Sequence, residues 1–224
     1  MTPSELKDRF RVMMRDEVEP FLWTDEDIYQ YMEQAQNDLV RYIGGISDSR
    51  SDLTYITMKD KVAYYPISQK ILKVVAIYRD DTGEPLRLMN EENMATYHRN
   101  LREPVGKVNS VVVGMDQDYV RLDPVPDESE AGLMLRMHVY RLPRPIIQLN
   151  SCGEETEALE IHEHHHTHLM TGMAAQAHRK QDAETFDRER ADRFNREFLE
   201  YADQCKRERE RREHRPRVVA YGGY

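Results

Sequence analysis

The chain has 224 residues, of which 39% are apolar and 33% charged, and its formal net charge is −9. A compact monomer usually carries nearer half apolar residues, so either much of this chain is long solvated helix or neighbouring subunits supply part of its burial. The acidity argues against a protein that grips nucleic acid over its whole surface, because phosphate binding needs a basic face.

The N-terminal stretch lacks a basic region followed by an apolar one, which predicts no signal peptide. No run approaches membrane-spanning length, which predicts no membrane partner. The two cysteines, Cys152 and Cys205, lie far apart without metal or disulfide spacing, as in a protein from a reducing compartment.

The first predicted element is a short helix opened by Pro3, with Leu6, Phe10, Met13 and Met14 on one face. Pro20 interrupts the chain. Thr24 then reads as an N-cap, and Asp25, Glu26 and Asp27 place negative charge at the positive end of a helix dipole. Ile28, Met32, Ala35, Leu39 and Ile43 follow at spacings of three and four, up to the Gly44-Gly45 stop.

The period changes after residue 50. Leu53–Met58, Val62–Ile67, Ile71–Asp80 and Leu86–Met89 are rich in β-branched and aromatic residues and read as strands. Asn90–Arg99 reads as a short helix. Ser110–Met115 and Asp118–Leu122 read as a hairpin around Asp116-Gln117. Gly132–Leu142 alternates, with Leu133, Leu135, Met137 and Val139 on one face. These segments predict a small, mainly antiparallel β domain of about six strands, inserted at residues 51–145.

Helix returns after Asn150-Ser-Cys-Gly. Glu155 to about Arg179 reads as one helix, with Ala158, Ile161, His165, Leu169, Met173 and Ala177 on a face. A second, capped by Asp182, runs to about Glu213 with Ala191, Phe194, Phe198, Tyr201 or Ala202, and Cys205 on a face. The short connection predicts an antiparallel hairpin over 155–213. Gly172 costs the first helix about 1 kcal/mol against alanine, which points to close packing there. The expected fold class is therefore α+β: a mainly α-helical core, made of N-terminal helices (1–50) and the C-terminal hairpin, with a small inserted β domain. An extended tail follows at 214–224.

One catalytic motif stands out. His162-Glu163-x-x-His166 fits the H-E-x-x-H pattern, in which two histidines one helical turn apart hold zinc and the glutamate acts as base. A zinc-dependent hydrolase is the alternative it raises. Its context is poor: Leu169 and Gly172 stand where the extended motif needs Gly and His, and five histidines within seven residues make a chance match easy. Adventitious metal binding by His162 with His166, or His164 with His168, stays open, as does a pH-sensitive interface. No phosphate loop, nucleophile elbow or C-x-x-C occurs, so the expectation is a non-enzyme with no catalytic residues, no built metal site and no cofactor.

From Lys206 to Arg217 seven Lys/Arg face three Glu. This stretch reads as a solvated helix end, in which Glu208, Glu210 and Glu213 pair with neighbouring arginines; as a short nucleic-acid contact; or as the base of a docking arm. In the last reading Arg215, Arg217, Val218, Val219, Tyr221 and Tyr224 reach into another protein, by strand pairing or by seating aromatics in a groove.

The order of elements, with certain residues, resembles the head–tail connector adaptor (head-completion) proteins of tailed bacteriophages. Leu22-Trp-Thr-Asp-Glu-Asp-Ile-Tyr-Gln-Tyr-Met-Glu-Gln-Ala-Gln-Asn-Asp-Leu resembles that family's opening helix. Ile56 to Pro66, Ile71 to Tyr78 and Val120-Arg-Leu-Asp-Pro-Val-Pro resemble its strands and P-x-P turn, and Leu133 to Pro143 its returning strand. His165, Leu169, Ala177, Lys180, Asp182 and Phe198 match marks of its C-terminal hairpin. The density of histidines at His162–His168 departs from the family pattern and leaves a local specialisation open.

The resemblance implies a homo-oligomeric ring, usually of twelve subunits, assembled in the host cytoplasm and placed at the head–tail interface of the virion. Its C-terminal arm would dock into the portal protein, and its β insertion would face a downstream tail protein (nozzle, tube or tail-completion). DNA would pass through an acidic lumen without sequence-specific binding.

Overall fold

The computed structural model describes residues 1–90, 104–116, 118–149, 155–181 and 185–213. Most of the helix expected at Asn90–Arg99, Gln117 of the expected turn, the Asp182 cap, Cys152 and the tail from 214 onward lie outside these residues. The chain divides into two units, one made of Met1–Gly44 with Pro143–Tyr224 and the other of Gly45–Leu142.

In the first unit, α1 spans Pro3–Met14. Thr2 and Glu5 form a reciprocal capping box, the Glu5 N–H donating to Thr2 Oγ1 at 3.2 Å and the Thr2 N–H to the Glu5 carboxylate at 3.0 Å. Helix α2, Asp25–Ile43, repeats the device with Thr24 and Asp27 and ends at Gly44, whose φ of 93° a glycine adopts without strain. Ile28, Met32 and Leu39 of α2 are fully buried, each contributing about 1.5–3 kcal/mol by leaving water.

Helix α3 spans Glu163–Ala177 and α4 spans Arg188–Glu213. Tyr201 lies beside His165 and Phe194 beside His178, so the two helices run antiparallel, as the short connection predicts. Gly172 is where α2, α3 and α4 meet: a Cβ there would stand 3.0 Å from two Phe198 ring carbons and 3.1 Å from Ala35 Cβ. The sequence places the start of α3 too early. Glu155–Glu157 is a strand paired with Ile147–Leu149. The Ala158 and Glu160 N–H groups donate to the Ile146 carbonyl and Gln36 Oε1. Those tertiary partners take backbone groups that a helix would need, and they override the helical propensity of the Glu, Ala and Leu residues there.

The second unit is a large curled sheet. Its strands are β1 (Ile46–Asp48), β2 (Tyr55–Thr57), β3 (Tyr64–Pro66), β4 (Ile71–Arg79), β5 (Pro85–Met89), β6 (Ser110–Val112), β7 (Tyr119–Asp123) and β8 (Met134–Arg141). The order is β1-β8-β4-β5-β6-β7-β3, with β2 also pairing β8. A one-turn 3₁₀ helix, Asp52–Thr54, joins β1 to β2. On β8, Leu135, Met137 and Val139 point into a core with Ile56, Ile77, Val111 and Leu122, the alternation expected of a one-sided sheet. Bulges in β4 shift its register against β8 between Ile71 and Lys73 and again between Val74 and Ala76.

The expected fold class is therefore corrected. The β part is no small insertion into a mainly helical core: it is an eight-stranded sheet, so the molecule is sheet-rich. The pairing among the described strands is mainly antiparallel, as expected, with β5 and β6 running parallel. Several strands are only three residues long, too short to show a period, and β1 was not expected at all. The remaining pair, β9 (Ile147–Leu149) and β10 (Glu155–Glu157), forms a separate ribbon in the first unit.

Candidate functional site

The histidine segment opens α3. His162 is the N-cap and lies in extended backbone, outside the helix. His166 is 3% exposed, and its Nε2–H donates to the Ile161 carbonyl at 3.1 Å. That nitrogen therefore carries its proton inward and has no lone pair for a metal. Glu163 is 87% exposed. The H-E-x-x-H letters thus put one histidine at the cap, one in the core and the glutamate in solvent, and they build no protease centre. Among the described residues, no group of three or more His, Cys, Asp or Glu side chains converges as a metal site.

The other histidines line the α3–α4 seam. His165, which the sequence places on the buried face, is half-buried, its Nδ1 2.8 Å from the Tyr201 hydroxyl and 3.8 Å from Cys205 Sγ. Burial first, and then the neighbouring histidines, pushes His165 down to about 4. The His168 ring stacks on Tyr201 with centroids 3.5 Å apart and planes 12° from parallel. Burial also pushes the Cys205 thiol up, so it lacks the thiolate character of a nucleophile.

The arginine-rich half of α4 mixes signs. Arg207 pairs with Asp203, and Gln204 donates to Glu208 at 3.0 Å. Arg209 donates to the Ile43 carbonyl at 2.8 Å, capping the C-terminal end of α2 with a cation. In this part of the chain the arginines serve as solvated and capping groups. The expected docking residues Arg215, Arg217, Val218, Val219, Tyr221 and Tyr224 lie outside the described residues.

A feature the sequence reading missed is the connection between α1 and α2. Asp16, 3% exposed, accepts from Arg11 Nη1 at 2.8 Å, the Leu22 N–H at 2.8 Å and the Trp23 N–H at 3.3 Å. Arg11 reaches on to Asp25 at 2.5 Å and stacks 4.0 Å over the Phe21 ring. A buried carboxylate thus holds a turn on which Val18 (80% exposed), Phe21 and Leu22 face solvent. The only hint in the sequence was an acidic, proline-broken stretch carrying apolar residues.

Compared with known proteins, residues 1–220 match a family model described as SU10 adaptor protein. No curated protein matches the chain.

Proposed function

We propose that this chain, which belongs to the SU10 adaptor protein family of phage head–tail adaptors, works as a structural ring subunit that joins the portal to tail components. The observation that carries this reading is a family match running from residue 1 to residue 220. The low apolar content and the outward Val18, Phe21 and Leu22 support it, because both suit a subunit whose burial is completed by neighbours. Twelve copies would close the ring. DNA would pass through its lumen without sequence-specific contact, which the net charge of −9 favours.

The C-terminal segment is the portal-docking arm in this reading, with Arg215 and Arg217 meeting acidic groups and Val218, Val219, Tyr221 and Tyr224 seated in a groove. A downstream tail protein would take the opposite face of the ring. The particle would assemble in the host cytoplasm.

Two experiments test the proposal. Native mass spectrometry, with electron microscopy of the chain mixed with its portal, should give a closed ring on the portal; a persistently monomeric chain that ignores the portal overturns it. Deleting Arg215–Tyr224 should abolish portal attachment and leave the circular dichroism spectrum and unfolding midpoint intact. Unchanged attachment would refute the docking arm alone, leaving the ring to the first experiment.

A further inference from the structure

The histidine segment holds a binding feature that the adaptor reading does not use. We propose that His164 and His168 form a two-histidine chelating site for a late first-row divalent ion such as Zn(II) on the open side of α3. The inference stands independently of how the chain assembles.

The sequence offers two histidine pairs one turn apart, and the structure separates them. In the pair His162 and His166, the first residue lies outside the helix and the second donates its Nε2–H to a carbonyl inside the core. In the pair His164 and His168, both residues lie within α3 and both are exposed. Side chains four apart on a helix stand on one face, with Cβ atoms about 5–6 Å apart. Two imidazoles at that spacing can reach one ion at the usual Zn–N bond length of about 2.0–2.1 Å. Imidazole nitrogen suits zinc, nickel and copper, and is a poor match for magnesium or calcium.

A further observation favours the pair. Neither ring takes part in a hydrogen bond among the described residues, so a nitrogen lone pair on each is free to bind. The two rings have separate ring neighbours: His168 lies face to face with Tyr201, centroids 3.5 Å apart, and His164 lies beside His165 at 3.9 Å and His162 at 5.6 Å. With no third donor converging among the described residues, water fills the remaining positions.

The test is calorimetric titration of untagged full-length chain with Zn(II) near neutral pH, alongside His164→Ala, His168→Ala and His162→Ala. The native chain should bind saturably, and His162→Ala should leave the affinity unchanged. His164→Ala and His168→Ala should each weaken binding by at least the roughly tenfold that loss of an outer-shell partner already costs a metal site. Zinc should raise the unfolding midpoint of the native chain and of His162→Ala, and of neither other variant. Both substituted side chains are exposed, so circular dichroism should show the variants folded. No saturable binding by the native chain overturns the proposal. So does native affinity retained in either His164→Ala or His168→Ala, or an equal loss in His162→Ala.

Discussion

Two residues carry more of this structure than their size suggests. At Gly172 three helices close to within one methyl group. Gly172→Ala gains about 1 kcal/mol of helix propensity, but its new methyl meets Phe198 at 3.0 Å and Ala35 at 3.1 Å. Overpacking of this kind costs about 1–3 kcal/mol. The Ala35 Cβ is fixed to its backbone and cannot turn aside, so Gly172→Ala should lower the unfolding midpoint and Gly172→Val should lower it further, both read by thermal melts. Asp16 is the second. Asp16→Ala strands the Leu22 and Trp23 N–H donors and removes a buried partner of Arg11, a loss of about 1–3 kcal/mol. Proteolysis within residues 15–23 should speed up in that variant while the far ends of α3 and α4 stay protected. Gly172 was legible from the sequence, because a glycine inside an otherwise good helix needs a reason. Asp16 was not: among so many acidic residues nothing distinguishes the one that turns inward, and only the fold brings its three donors together.

Elements were legible in proportion to their length and caps. The Thr24 cap and the spacing of Ile28, Met32, Ala35 and Leu39 placed α2 well, and the alternation of Leu135, Met137 and Val139 placed β8. Three-residue strands such as β1 and β3 show no period, so the extent of the sheet had to come from pairing. The buried face of α3 was read correctly at Leu169, Met173 and Ala177, and the buried His166 was missed. This helix packs against both α2 and α4, so its buried arc is wide, and a single-face pattern could not tell His165 from the fully buried His166. At this scale the tie between β1 and β8 predicts a pH effect. Burial opposes ionisation of Asp48, but the Arg50 and Ser51 N–H groups and Arg141 Nε at 2.5 Å outweigh it and hold the carboxyl well below its ordinary value of 3.8. A depressed folded-state pKa stabilises above the unfolded value, and that stability is lost as pH falls below it. Thermal melts from pH 5 down to pH 2 should therefore show a steep loss in the native chain. Asp48→Asn should start lower at pH 5 and fall less steeply, and an identical slope would remove Asp48 from the account.

For the whole molecule, the sequence reading reached the family before the fold. The resemblance rested on scattered residues in a fixed order, and the match over residues 1–220 agrees with it. The same reading underestimated the sheet, because order along a chain says little about how many short segments pair beside one another. The candidate site was less legible than either: the docking residues at 215–224 lie outside the described structure, and the loudest motif, His162 to His166, is taken apart by the fold.

The chain enters the sheet through Gly45 and β1 and leaves it through the end of β8. Ile46 pairs with Arg141, and a Cβ on Gly45 would stand 3.0 Å from that of Tyr140. Paired antiparallel residues stand about 4.5–5.5 Å apart, so the sheet begins and ends at nearly one point. It is thus a cassette. A few flexible residues suffice to bridge Gly44 to Pro143 in its absence. One contiguous stretch of gene therefore encodes the whole sheet, from Gly45 to Leu142.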